Sequence, residues 1–546
     1  MDSDELKGSG LLAQSRRAFL RVGSIAAAAL MTGDRLLGAT AQSAAKTKAR
    51  PRLRRDLAMQ RRLDAAESAR RLGFPDHQAN GDEDRVGAAG CYSKGLPHDA
   101  SGEPEQAAVD ALRHALRGED HAAYEAIPLG GYIKLSNPQA AYAFDLVGPD
   151  SHQLRIAPPP TFSSAEQAAE MVELYWQALL RDVPFADYEQ NPLALQAADE
   201  LTSLSGFRGA RVDGRVLPRT LFRGHTSGGQ TGPYLSQFLV RDLPWIPIRV
   251  PQRIRTLVPG KDYLTDPAEW LAIQNGAIAP PNVYDDTPRY VRNGRDLAEY
   301  VHRDFTYQLF LGACLMLFRM NAPVDGGIPY HYSLSQSGFV TFGASDIVHL
   351  VASVANVALK ASWFQKWLVH RRIRPEEFGG RLHVHAGRRR TYPFHADVLN
   401  ATVLERVQQK WGTHLLPHAY PEGCPTHPAY PGGHAVIAGA CATVLKACFS
   451  ESFVIPEPVI ARADGLAVAP YRATELTVGG ELDKLAENAS FGRNFGGIHW
   501  RSDASAGLAL GEACAIEFLK EMKLAGSELF SGFNLTTFDG QRVVIA

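Results

Sequence analysis

Apolar residues return at three- and four-residue steps through stretch after stretch of this chain, and that period commits most of it to helices. Ser163-Ser164-Ala165-Glu166 has the form of a capping box, and Ala169, Met171, Val172, Tyr175, Trp176 and Leu179 follow at helical spacing, so an amphipathic helix starts there. The same pattern predicts helices over 297–318, 344–371, 396–411, 434–449, 480–491 and 504–524. Connectors rich in Pro and Gly, such as Ala279-Pro280-Pro281 and 417–433, carry aromatic residues and read as long loops within a fold rather than as linkers. Strand signals are few: 132–135, 143–147, and a hairpin turning at Asp539-Gly540 between Asn534 and Ile545. No repeat recurs at a fixed period. The expectation is a mainly α protein, a helical bundle with minor β-hairpins.

At 546 residues, with 45% hydrophobic and 21% charged, the chain has enough apolar material for one very large core or two packed ones. A formal net charge of -1 supplies no global field for nucleic acid or an anionic membrane. A small-molecule partner is expected, with no nucleic acid. Ser15-Arg16-Arg17-Ala18-Phe19-Leu20, an apolar stretch over 25–31 and Ala39-Thr40-Ala41 stand in the order of a twin-arginine export signal. An ordinary amphipathic N-terminal helix is the plain alternative. The export reading makes 1–41 a signal peptide and the mature protein periplasmic or secreted, with an N-terminal helical half over 42–310 and a catalytic half over 311–546.

No later segment is expected to span a bilayer, which takes about 20 apolar residues. The stretch 309–318 is too short, 340–359 contains Asp346 and His349, and 435–449 is cut by Lys446. The six cysteines form no CxxC pair and no disulfide framework; Cys441 and Cys448 read as core thiols, with Cys91 or Cys424 left open to pairing after export.

Three clusters in the last third carry chemistry. In the first, Lys366 and Arg374 are eight residues apart, about 80° around a helix axis, so both can point at one oxyanion before the helix stops near Pro375. A basic helix end facing solvent is the bland reading of these residues. In the second, Pro431-Gly432-Gly433-His434 opens an apolar helix, where glycines let backbone N–H groups approach an anion and the helix dipole points the same way. His434 sits at its mouth, able to titrate near neutral pH; simple capping is the alternative. In the third, Asp503 lies four residues after His499, so a carboxylate can hold one ring nitrogen and leave the other as nucleophile or metal ligand, with Arg493 as a further anion fork. Taken separately, this cluster also reads as a surface ion pair with a packed histidine.

Together the clusters resemble the signature shared by vanadium haloperoxidases and the related acid phosphatases: Lys…Arg-Pro, then Pro-Ser-Gly-His, then Arg-x5-His-x3-Asp. Seven residues separate Lys366 from Arg374, the spacing of the algal-type bromoperoxidases and one more than the phosphatase form. His427, seven before His434, and Trp363, three before Lys366, match the same branch. Lys94-Gly95-Leu96-Pro97-His98, Arg181-Asp182-Val183-Pro184-Phe185, 232–239 and 478–485 look like its bacterial members, so the resemblance runs through most of the chain. One position departs from the pattern. The family's serine is Gly432 here, which removes a hydroxyl donor to the oxyanion, a loss of about 1 kcal/mol or more.

The resemblance implies the helical-bundle architecture of the vanadium haloperoxidases and a vanadate cofactor. Lys366, Arg374, Gly432, Gly433, His434 and Arg493 would form its binding site, with His499 as axial metal ligand and Asp503 fixing that histidine's tautomer. It implies His434 as general base toward hydrogen peroxide, Lys366 polarising it, and Trp363 and His427 facing the substrate pocket. Chloroperoxidases carry an aromatic residue at the position of His427, so bromide or iodide is the expected halide, oxidised to a hypohalous acid equivalent that halogenates small organic acceptors. The family commonly forms homo-oligomers, expected here too. An acid phosphatase with His499 as nucleophile is the main competitor; a non-catalytic oxyanion-binding protein would leave His434, His427 and the His499–Asp503 pair without a task. His370, His383, His385, His395, His414 and His418 show no partner pattern and read as surface or structural.

Overall fold

A computed structural model describes residues 51–245 and 248–546; the signal-like segment 1–41 lies outside them. The longer helices are α1 Pro51–Leu72, α2 Gln106–Ala115, α3 Ala165–Leu180, α4 Pro192–Ser203, α5 Gln308–Arg319, α6 Ala344–Phe364, α7 Pro375–Ala386, α8 Thr402–Trp411, α9 Gly433–Cys448, α10 Val478–Phe495 and α11 Arg501–Ala525. Four two-stranded antiparallel sheets are the regular β-structure among the described residues. Phe533–Thr536 pairs with Arg542–Ile545 around Gly540, whose φ of 86° needs a residue without Cβ. The stretches 132–135 and 143–147 are not strands. The amides of Tyr132 and Ile133 both donate to the single carbonyl of Gly276, at 2.9 and 3.1 Å, instead of to a paired strand.

Local sequence explains where the helices begin and where the expected ones break. The cap of α3 is Ser164, one residue later than predicted, with Oγ accepting from Gln167 N at 3.1 Å. Nor is α3 amphipathic, because its polar side chains are buried too: Glu170 receives Arg372 at 2.8 Å and Glu173 receives Arg501 Nε at 2.8 Å. Charges satisfied in this way can enter a core. The predicted helix 297–318 is two, Gly294–Tyr300 and α5, and the break between them frees the polar run His302-Arg303-Asp304 for other partners. The stretch 396–411 likewise divides into Ala396–Leu399 and α8.

Residues 64–546 form one compact unit, distinct from the described residues 51–63. At the centre of the larger unit is α9, largely apolar and buried from Ala435 to Cys448, lying against α6, α10 and α11. Its backbone meets that of α11 closely. A Cβ at Gly439 would stand 2.3 Å from Leu508 O, and one at Gly511 2.0 Å from Val436 O, so only glycine permits this crossing.

Continuous helical residues Ala344–His370 are, by length and composition alone, long and apolar enough to cross a membrane, although the sequence reading excludes the region for Asp346 and His349. Leu350, Val351, Val354 and Ala358 of this helix are buried in the core. All six cysteines are buried and unpaired, so neither Cys91 nor Cys424 forms a disulfide.

Candidate functional site: a buried cationic cradle

Lys366 and Arg374 do not share one helix, contrary to the helical-wheel expectation. Past Phe364, α6 widens into a π-helical turn over Gln365–His370, and Arg371 then takes a left-handed conformation (φ 39°). Arg374 is therefore the N-cap residue of α7. Both side chains are wholly buried. Lys366 Nζ donates to the carbonyls of Pro428 and Ala429, each at 2.8 Å. Arg374 donates through Nε to His427 O at 2.8 Å and through Nη1 to Ile498 O at 2.7 Å. Arg493, in the last turn of α10, donates through Nη1 to Val301 O at 2.5 Å, and its buried Nε has no protein partner.

Among the described residues no carboxylate pairs with Lys366, Arg374 or Arg493, although the same fold pairs other buried arginines freely: Arg181 with Asp262, Arg295 with Asp182, Arg501 with Glu173. Burial, followed by the field of Arg374, holds the Lys366 ammonium well below its ordinary pKa. An uncompensated buried cation costs several kcal/mol. Three converging ones with an orphaned Nε describe a cradle for an oxyanion.

His499 faces that cradle. Its Nε2 lies 3.1 Å from Arg374 Nη1, which can only donate, and its Nδ1 lies 2.7 Å from Asp503 Oδ2. The two contacts fix the tautomer: the proton is on Nδ1 and the Nε2 lone pair points inward, as a metal ligand requires. Burial first, then Arg374 and Lys366, keeps this imidazole well below its ordinary pKa and so neutral. The His499–Asp503 pairing is as predicted, but its geometry is not that of a helix face. His499 precedes α11, and Asp503 is the third helical residue, also accepting from Trp500 N at 3.0 Å.

Asp503 is held from behind by a residue the sequence reading did not single out. Arg372 Nη1 donates to Asp503 Oδ1 at 2.8 Å, while Nη2 reaches Glu170 of α3 at 2.8 Å and the guanidinium lies 5.1 Å from the Trp500 ring centroid. The Arg-rich segment 371–374 hid it, since spacing alone could not say which arginine turns to the anion and which to the support.

The helix N-terminus completes the site. Gly432 caps α9, with its amide donating to Asp503 O at 2.9 Å. The amides of the first helical turn, beginning at Gly433, have no intrahelical acceptor. His434 follows, partly exposed, with Nε2 2.9 Å from Asp304 Oδ1. The Asp304 side chain is 1% exposed, and its carboxyl lies below the ordinary range: burial opposes this most, but His434 and then Arg493 outweigh it. With Nε2–H donated to Asp304, His434 keeps Nδ1 free to take a proton. Asp304 was missed because its segment was read as the interior of a helix. Trp363 packs on His427 with ring centroids 4.8 Å apart, and Arg374 Nη2 lies 3.0 Å from His427 Nδ1, which burial and then Arg374 keep neutral.

Of the other histidines, His370 and His418 are buried with both ring nitrogens unpartnered, burial lowering them to about 3 and about 4. His418 lies near Glu376 and Cys424, a group with metal-ligand character. Both Glu376 oxygens are already taken, by Lys94 at 2.8 and 3.0 Å, by Gln274 and by the Cys424 amide.

Residues 347–525 match a family model described as the second helical-bundle domain of VCPO. The chain is 38% identical to a vanadium-dependent bromoperoxidase of Ascophyllum nodosum, over 85% of this chain and 87% of that one. It is 33% identical to a vanadium-dependent bromoperoxidase of Corallina officinalis, over 89% and 97% respectively. Among solved structures it resembles the homohexameric second vanadate-dependent bromoperoxidase (AnII) of Ascophyllum nodosum, with TM-score 0.85, 30% identity and 95% of each chain covered.

Proposed function

The chain belongs to the vanadium-dependent haloperoxidases, and from that membership we propose that its cradle holds vanadate and oxidises bromide or iodide with hydrogen peroxide to a hypohalous acid equivalent that halogenates small organic acceptors. The observation that carries the assignment of residues is the charge arrangement. Lys366, Arg374 and Arg493 are buried and, among the described residues, have no carboxylate partner, beside a histidine whose Nε2 lone pair is turned toward Arg374. That donor set suits a tetrahedral oxyanion whose metal accepts one nitrogen.

In this reading Lys366, Arg374, Arg493 and the Gly433 amide would hold the oxyanion's oxygens, and His499 Nε2 would be the nitrogen ligand to vanadium. When bound, vanadate supplies Lewis-acid activation of peroxide without changing oxidation state. His434 Nδ1 takes the proton that hydrogen peroxide loses, and Asp304 stabilises the imidazolium so formed. The Lys366 ammonium, its protonation favoured once an anion is beside it, polarises the reacting oxygen. Asp503 and Arg372 hold His499 in its tautomer. Trp363 and His427, packed on each other, form the neutral wall that a large, weakly hydrated halide would meet. Export by the twin-arginine route, with cleavage after Ala41, and assembly into a homo-oligomer belong to the same proposal. The first rests on the order of the N-terminal residues, the second on the homohexameric relative.

The deciding experiment measures halogenation of a phenolic dye by purified protein with peroxide and bromide or iodide, with and without orthovanadate, beside phosphomonoester hydrolysis without vanadate. Vanadate-dependent halogenation that disappears in His499→Ala supports the reading. Hydrolysis alone, inhibited by vanadate, overturns it in favour of a phosphatase.

A further inference from the structure

A cavity of about 610 Å3 opens between the loop after α3 and the Val459–Ala461 hairpin, within the size range of small-molecule sites. Its residues are not those of the cradle. One wall is the parallel stack of Phe185 on Tyr234, with ring centroids 3.8 Å apart, and the aliphatic side chains of Val212, Val459 and Ile460 also line it. The stack packs against Phe495, two residues beyond Arg493, so this cavity and the cradle both adjoin the end of α10.

Its charge is one-sided. Four guanidiniums line it, those of Arg219, Arg223, Arg292 and Arg462, against the single carboxylate of Glu189. Arg292 is neutralised from behind by Asp296 at 3.2 Å. Among the described residues the other three have no carboxylate partner. Arg223 lies 5.1 Å from the Tyr234 ring centroid, held by the carbonyls of Gly229 and Gly232 at 2.7 and 3.0 Å, and its buried Nε has no acceptor. The buried Tyr188 hydroxyl lacks one as well. A flat aromatic wall, aliphatic neighbours and donors in excess of acceptors are complementary to one kind of molecule.

We propose that this cavity is a second ligand site, independent of the vanadate cradle, and that it binds a small organic carboxylate with an aromatic body, the ring against Phe185 and Tyr234 and the carboxylate toward Arg219, Arg223 and Arg462. The test uses the full, vanadate-loaded protein, so that the cradle is already occupied. Calorimetric titration with 4-phenylbutyrate should give one saturable site per chain. The neutral isostere 4-phenylbutan-1-ol should bind at least tenfold more weakly, and inorganic sulfate should not compete at equal concentration. The double variant Arg219→Glu, Arg462→Glu should weaken 4-phenylbutyrate at least tenfold while dye halogenation stays unchanged. In the unmodified chain, 4-phenylbutyrate should protect Arg219 and Arg462 from phenylglyoxal, read by peptide mass mapping, which does not depend on a variant's folding. Absence of saturable binding, equal binding of the alcohol, unprotected arginines, or a mouth sealed to both reagents by a neighbouring subunit would each overturn the proposal.

Discussion

Restoring the missing hydroxyl is the sharpest probe of the cradle. Gly432 has φ -65° and ψ 119°, a conformation open to any L-residue, so Gly432→Ser meets no backbone penalty. A Cβ there would stand 3.3 Å from Asp503 O and 3.4 Å from Ala435 Cβ, tight contacts that a shift of a few tenths of an ångström relieves. As N-cap of α9 the serine hydroxyl would accept from an amide of the first turn, which gains a few tenths of a kcal/mol over glycine. Its proton is then left to donate to a bound oxyanion. A hydrogen bond to a charged group contributes about 1.5–3 kcal/mol, so vanadate should bind about tenfold to a hundredfold more tightly. Reconstitution of vanadate-free protein, followed by both calorimetry and dye halogenation, gives the affinity in two ways. Gly432→Ala supplies the steric control and should bind no more tightly than the unaltered chain. If the serine and alanine variants bind vanadate equally, the hydroxyl does not reach the anion, and the placement of the cradle against the α9 N-terminus is wrong.

Asp304→Asn should lower kcat by about tenfold to a hundredfold while vanadate affinity changes much less, because the asparagine no longer stabilises a protonated His434; an unchanged kcat would remove Asp304 from the reaction. Arg372→Met leaves Glu170 and Asp503 buried without their cation, and should cost about 3–5 kcal/mol in denaturant unfolding, with weaker vanadate binding through a misplaced His499. His427 and His499 have folded-state pKa values below their ordinary 6.5, so as pH falls below 6.5 the unfolded chain binds protons that the folded one refuses. Vanadate-free protein should therefore lose stability as pH drops from 6.5 toward those folded values, by at most about 1.4 kcal/mol per pH unit per histidine. His499→Gln should flatten that slope, and equal slopes for the two proteins would refute the assigned burial.

The family residues could be read from spacing because each sits within a short run that contains its own local logic. Gly-Gly-His before an apolar helix, a histidine four before an aspartate, and a lysine eight before an Arg-Pro are visible in one dimension. So was the helical character of α6, α9, α10 and α11, whose apolar period runs unbroken for several turns. The reading failed where side chains are satisfied by partners far away in sequence. The helix α3 reads as amphipathic from its apolar spacing, and nothing local says that Arg372 and Arg501, about two hundred and three hundred residues on, neutralise its Glu170 and Glu173 and bury them.

Composition and period determined by themselves that this chain is mainly helical, and the spacing of Lys366, Arg374, Arg493, His434 and His499 marked them, through the resemblance to the haloperoxidase signature, as the candidate oxyanion site. Only the tertiary structure decided how those residues meet. The π-turn after Phe364 and the left-handed Arg371 turn Arg374 into a helix cap instead of a helix face. The break at 301–307 delivers Asp304 to His434, and Arg372 fixes Asp503. A local sequence specifies which groups are available. Whether a buried charge is matched by a carboxylate or left open for an anion depends on which distant segments fold against it, and that is a property of the packed chain.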